Sequence, residues 1–65
     1  MAQHLREGSV IDYGGTLGSP QYGGATVTNL TDSYIEFEWT DPSTSTPYVL
    51  VRPWSVGALL VVVTD

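Results

Sequence analysis

The stretch Tyr34–Thr40 constrains this chain more than any other. Ile35, Phe37 and Trp39 alternate there with Tyr34, Glu36, Glu38 and Thr40. Successive side chains of a strand point to opposite faces, so one face of this segment is apolar and the other carries two carboxylates. A strand of that kind sits between a core and water. It predicts an antiparallel sheet, and the rest of the chain supplies partners for it.

Gly, Pro, Thr and β-branched residues dominate elsewhere, a strand composition. Five strands are predicted, near 9–13, 25–30, 34–40, 48–52 and 59–63. In the second, Ala25 and Val27 alternate with Thr26 and Thr28. The polar link Thr31-Asp32-Ser33 reads as a hairpin turn, with Asp32 and Ser33 able to bond backbone groups. Residues 41–47 hold two prolines and four hydroxyl residues and read as a loop. In the fourth strand Val49 and Val51 oppose Tyr48, Leu50 and Arg52, and Pro53 ends it. Residues 54–57 read as a tight or 3₁₀ turn. The fifth, Leu59–Val63, is apolar throughout, which predicts burial on both faces or a place at a subunit interface. Only residues 2–7 have the composition to start a helix, and Gly8 would stop it.

The chain has 65 residues, enough for one domain spanning 1–65. A chain of this size buries only about 60% of its unfolded surface, so its core is small. There is no cysteine, which excludes disulfides and thiolate metal sites and fits a reducing, cytoplasmic setting. Arg6 and Arg52 are the only formal cations against seven carboxylates, for a net charge of −5. Neutralising a phosphate backbone takes clustered Lys and Arg, so no nucleic-acid partner is expected, nor an anionic membrane. The longest apolar run, residues 58–63, is far short of the roughly 20 residues that span a bilayer. The first residues show no secretory leader pattern.

Residues 13–24, YGGTLGSPQYGG, repeat a Tyr-Gly-Gly triplet nine positions apart. Five glycines in twelve positions mark either a mobile loop or a tightly contoured turn. One reading makes it a binding loop flanked by Tyr13 and Tyr22, since aromatics give large contact area at low entropy cost. The preferred reading is architectural: the Gly-Gly pairs let two strands splay at a corner while the tyrosines cover open ends. A phosphate cradle is rejected, because a strand follows the loop and no Lys assists.

The order strand, long loop, strand, tight hairpin, strand, loop, strand, 3₁₀-like turn, strand resembles the SH3-like small β-barrel and its Sm-like and Tudor-like relatives. Residues 24–39 and 52–62 carry the resemblance, the latter through its Pro53-Trp54 turn before a short last strand. It implies an all-β fold of five strands curled into a single small barrel. The Arg-Gly and Asp-x-Asn elements of the Sm RNA-binding signature are absent, so the resemblance carries fold and no functional residues.

Candidate partner-binding residues are Tyr13, Tyr22, Tyr34, Glu36, Glu38, Tyr48 and Trp54. Glu36 and Glu38 share a face, as a pair for acid–base or cation chemistry or, the preferred reading, as the wet side of the strand, with Arg52 in reach across the sheet. Trp39 belongs with the core by its phase. Trp54 is either an exposed anchor or a plug under the barrel. His4, the sole histidine, lies at a terminus, so no Ser-His-Asp set is expected. The sequence predicts no catalytic residues, no metal and no cofactor. It predicts a non-enzymatic protein-binding or assembly module, self-associating or part of a larger complex. The alternatives are a structural component of a viral or other repeating particle, and a small-molecule binder or enzyme with a pocket lined by Tyr13, Tyr22 and Glu36.

Overall fold

Ile11 and Tyr13, Ala25 and Val27, Ile35, Phe37 and Trp39, and Tyr48 and Leu50 each recur at every second position, and antiparallel pairing puts these sets on one face. The computed structural model describes residues 5–64 and contains β1 (Val10–Tyr13), β2 (Tyr22–Leu30), β3 (Tyr34–Asp41), β4 (Thr46–Pro53), a 3₁₀ turn (Trp54–Val56) and β5 (Leu60–Thr64). All pairings are antiparallel, in the order β4-β3-β2-β1-β5. The chain is thus the all-β, five-stranded protein expected. The expected closure does not occur, since β4 and β5 form the two margins of the sheet.

Cross-strand rows build the core. Val62, Ile11 and Ala25 form one row, Val27, Phe37 and Leu50 a second, Leu30 and Ile35 a third. Ile11, Ala25, Ile35 and Phe37 are fully buried, and Val27 and Tyr13 nearly so. The opposite face carries the row Val10, Thr26, Glu38, Val49 and the pair Glu36–Val51. With no second layer among the described residues, the sheet covers its apolar face by curling over it.

Bulges supply the curl. Three register shifts interrupt the ladders, between Ile11 and Tyr13, between Val10 and Ile11, and between Val27 and Asn29. A bulge adds a residue to one strand, bends it and raises its twist. The first falls at Gly23-Gly24, with Gly24 at φ 71°. The strand therefore starts at Tyr22, three residues before the expected boundary, and the Gly-Gly pair lies inside it. The third falls at Thr28 and turns Leu30 inward, where strict alternation would have put it outside.

The YGG segment is a compact turn. Thr16 and Ser19 exchange backbone hydrogen bonds at 3.2 and 2.9 Å, with Leu17 exposed at the tip. At Gly15, φ is +66°, and a Cβ would overlap the Ser19 carbonyl oxygen and lie 2.8 Å from the Gln21 nitrogen. Only glycine fits such an approach.

Several boundaries differ from the sequence expectation. The loop at 41–47 shrinks to residues 42–45, because β3 runs to Asp41 and β4 starts at Thr46. A four-residue hairpin closes it: Ser45 N–H reaches the Asp41 carbonyl at 2.7 Å, and Ser43 N–H reaches Asp41 Oδ1 at 2.9 Å. Pro47 enters β4 because an edge strand needs ladder donors on one side only. The β2–β3 turn is held by Thr31, whose hydroxyl accepts the N–H of Ser33 and of Tyr34, rather than by the Asp32 and Ser33 side chains. Residues 5–9 form a turn and not a helix, with the Ser9 hydroxyl accepting the Arg6 N–H at 3.0 Å. The rest of the expected helix, residues 2–4, and His4 lie outside the described residues. Finally, β5 is not buried on both faces: Leu60 and Val62 pack on the core, while Val63 is 52% exposed at the sheet margin.

Candidate functional site

The inner face does not end at the core. Beyond Phe37, β3 continues to Trp39, which is half-buried and faces Tyr48 directly across the β3–β4 ladder. Trp39 and Tyr48 are stacked, with ring centroids 6.1 Å apart and planes at 25°. Tyr22 meets Trp39 edge-on, at 5.0 Å and 79°. Tyr22 also touches Phe37 at 5.7 Å, and Phe37 touches Tyr13 at 5.0 Å. Five aromatic rings thus run from the middle of the core to the surface beside β4.

The outer end of this row opens into a groove of about 270 Å³, lined by Tyr22, Trp39, Asp41, Tyr48 and Leu50. Three structural causes place it there. The Gly23-Gly24 bulge swings Tyr22 over β3. Direct pairing of Trp39 with Tyr48 sets two rings side by side on the same face. The 42–45 hairpin then anchors Asp41 through the Ser43 N–H on Oδ1. The groove is apolar and aromatic with one carboxylate in its wall.

Arg52 makes a cation–π contact with one of these rings. Its Cζ lies 5.8 Å from the Tyr22 ring centroid, and Nη2 donates to Tyr22 Oη at 3.4 Å. Arg52 pairs with Ile35 and so faces the inner side. The expected cross-strand pairing of Arg52 with Glu36 and Glu38 is therefore wrong, because those carboxylates occupy the other face.

The predicted site residues separate accordingly. Tyr22 and Tyr48 come together in the groove. Tyr13 lies in the core at 6% exposure, and Glu36 accepts the Thr28 hydroxyl at 2.7 Å on the outer face, so no pocket joins Tyr13, Tyr22 and Glu36. Glu38 is exposed on that outer face, opposite Thr26 and Val49. Tyr34 pairs with Pro53. Trp54 is 39% exposed, but its indole N–H donates to the Thr31 carbonyl at 2.6 Å and its backbone N–H to Ser33 at 3.1 Å. It clamps the β2–β3 turn from outside.

Trp39 packs against the core, as its phase predicts, and also borders the groove, whereas Asp41 and Leu50 join the site without having been singled out. The signal for Trp39 was available: Glu38 and Thr40 end the alternation beside a proline-rich loop, where a sheet runs out of cover. Asp41 gave none, since it reads equally well as a loop residue. Among the described residues no three His, Cys, Asp or Glu gather as metal ligands, and no helix is long and apolar enough to cross a membrane. Comparison with models of protein families, with curated proteins and with solved structures finds no match.

Proposed function

We propose that this chain is a non-enzymatic binding module of the SH3-like barrel type that engages a basic protein partner through the groove of Tyr22, Trp39, Asp41, Tyr48 and Leu50. The observation that carries this is the groove itself, a concave set of aromatic rings with one carboxylate on a chain of net charge −5. Aromatic faces attract cations through their quadrupole, and a nearby carboxylate adds to the attraction. Net negative charge steers a positive partner toward the surface. The strand order and the 3₁₀ turn between β4 and β5 support the SH3-like assignment, with the sheet open between its margins.

The test is a binding titration of the isotope-labelled chain with a mixed Lys/Arg peptide and an acidic peptide of equal length. The basic peptide is expected to shift the Trp39 indole and the Tyr48 and Leu50 amides, and to lose affinity as salt rises. Tyr48→Ala is expected to abolish those shifts. Equal binding of both peptides, or shifts confined to other surfaces, refutes the reading.

A second reading, assembly between copies, draws on the apolar β5 at a sheet margin and on its exposed Val63. Light scattering on a sizing column decides it. A monomer near 7.0 kDa removes it, and a defined oligomer that Val63→Thr weakens supports it.

A further inference from the structure

We infer that the outer side of β4 docks an amphipathic helix of a protein partner, one with Lys or Arg along a single flank of its apolar stripe. This surface lies across the sheet from the groove and is independent of it.

The outward positions of β4 are Pro47, Val49, Val51 and Pro53, and all four are exposed. Val49 is 62% exposed and Val51 49%. A strand with its inner face on a core carries polar side chains outside, and a marginal strand is usually charged there. On β4 the outward row is apolar throughout. The charge sits one strand over, where Glu38 pairs with Val49 and Glu36 with Val51.

The shape of this row selects the occupant. Four residues at alternate positions make a ridge one side chain wide and about 20 Å long, the length of about 13 helical residues. Positions i and i+4 of a helix lie about 6 Å apart along its axis, close to the roughly 6.6 Å between Val49 and Val51. A second sheet would need an apolar face several strands wide, whereas β3 presents Glu36, Glu38 and Thr40 beside the ridge. An added strand would need donors along the margin. Pro47 and Pro53 have none, and the Val51 carbonyl takes the Arg52 guanidinium at 3.0 Å.

Charge selects the flank. The Glu36–Val51 and Glu38–Val49 pairs share the parity of Pro47 and Pro53, so they are the closer, non-hydrogen-bonded kind. Glu38 is exposed, and Glu36 is half-buried with Oε2 on the Thr28 hydroxyl. Arg52, the sole cation of β3 and β4, faces the opposite side and rests on Tyr22. A helix on the valines therefore meets two carboxylates along one flank, at a spacing that Lys or Arg at i and i+4 matches. A second copy, with its own net charge of −5, would bring like carboxylates together instead.

The experiment titrates the methyl-labelled full chain with a designed helical peptide of about 15 residues, carrying a Leu stripe with Lys along one flank. One control peptide has Glu in place of those Lys, and another has the same residues in an order that breaks the stripe. The Lys peptide is expected to shift the Val49 and Val51 methyls, to leave the Trp39 indole unmoved and to lose affinity as salt rises. Both controls are expected to bind at least about 10-fold more weakly. Val49→Thr with Val51→Thr keeps the branched shape on an exposed row, so it should fold, and is expected to cost about 10-fold in affinity. Glu36→Gln with Glu38→Gln keeps an acceptor for Thr28; it is expected to cost about 5-fold at low salt and to flatten the salt dependence. Tyr48→Ala, in the groove, is expected to leave the binding unchanged. A control peptide that binds as well as the Lys peptide overturns the inference, as do methyl shifts that survive both double variants. Shifts that move to the Trp39 indole and vanish in Tyr48→Ala put the peptide in the groove, which overturns the outer surface and leaves the basic-partner reading standing. No shift at about 1 mM Lys peptide overturns it too, and the basic-peptide titration then decides the groove reading by itself.

Discussion

Asp12 and Gly24 are joined across the first bulge: the Asp12 carboxylate accepts the Gly24 backbone N–H at 3.0 Å. A bulge leaves its extra residue without a ladder partner. Here a side chain from β1 supplies the missing acceptor, and the bulge in turn sets Tyr22 over Trp39. Asp12→Ala is expected to cost about 1 kcal/mol, since the bond is solvent-exposed. It should also weaken the Tyr22–Trp39 contact, seen as altered near-ultraviolet circular dichroism before unfolding. Asp12→Asn, which keeps an acceptor, should preserve both.

Glycines of the YGG turn are unequal. Gly15 and Gly18 both have positive φ, but only at Gly15 would a Cβ run into backbone. Gly18→Ala is expected to cost about 1 kcal/mol from the backbone conformation alone. Gly15→Ala adds a clash that no side-chain movement relieves, so its urea midpoint should fall well below that of Gly18→Ala. Equal midpoints would mean the turn is free to open.

Ser45 is the only non-glycine residue at positive φ among those described, at 57°. It sits in the hairpin that anchors Asp41. Ser45→Gly relieves the strain, and the expected gain is about 0.5–1 kcal/mol, read as a higher melting temperature. Binding at the groove should be unchanged.

Phe37 and Trp39 occupy the same strand face at different depths. Phe37 is fully buried between Tyr13, Tyr22 and the aliphatic core. Phe37→Ala is expected to cost about 3–5 kcal/mol. A domain of this length holds only about 3–10 kcal/mol in total, so that variant should be largely unfolded by far-ultraviolet circular dichroism. Trp39 is half-buried and borders the groove. Trp39→Leu should fold, with a lower melting temperature, and should lose the basic-peptide binding proposed above. An unfolded Trp39→Leu would return Trp39 to the core proper.

The margins of the sheet are protected unequally. On β4, Pro47 and Pro53 share parity with Val49 and Val51, and a proline in a paired strand must turn its nitrogen away from the ladder. The outer margin of β4 thus lacks two donors, and the Val51 carbonyl takes the Arg52 guanidinium at 3.0 Å. Such devices discourage edge pairing. Pro47→Ala is expected to increase self-association at high concentration, measured by light scattering.

Much of this was legible in the residues. The alternation of Ile35, Phe37 and Trp39 against Glu36 and Glu38 determined a strand with one wet face. The polar Thr31–Ser33 link determined the hairpin after it, and the absence of cysteine and lysine bounded the chemistry. These signals are local: they depend on backbone preferences and on which side chains tolerate water, both properties of the sequence itself. The tertiary structure alone decided the rest. The bulge at Thr28 turned Leu30 inward against its phase, and pairing parity put Arg52 on Tyr22 instead of Glu36. The Gly23-Gly24 bend carried Tyr22 seventeen positions along the chain to Trp39. The reason is physical: a groove is made by residues distant in sequence, and one inserted residue in a ladder flips every side chain beyond it.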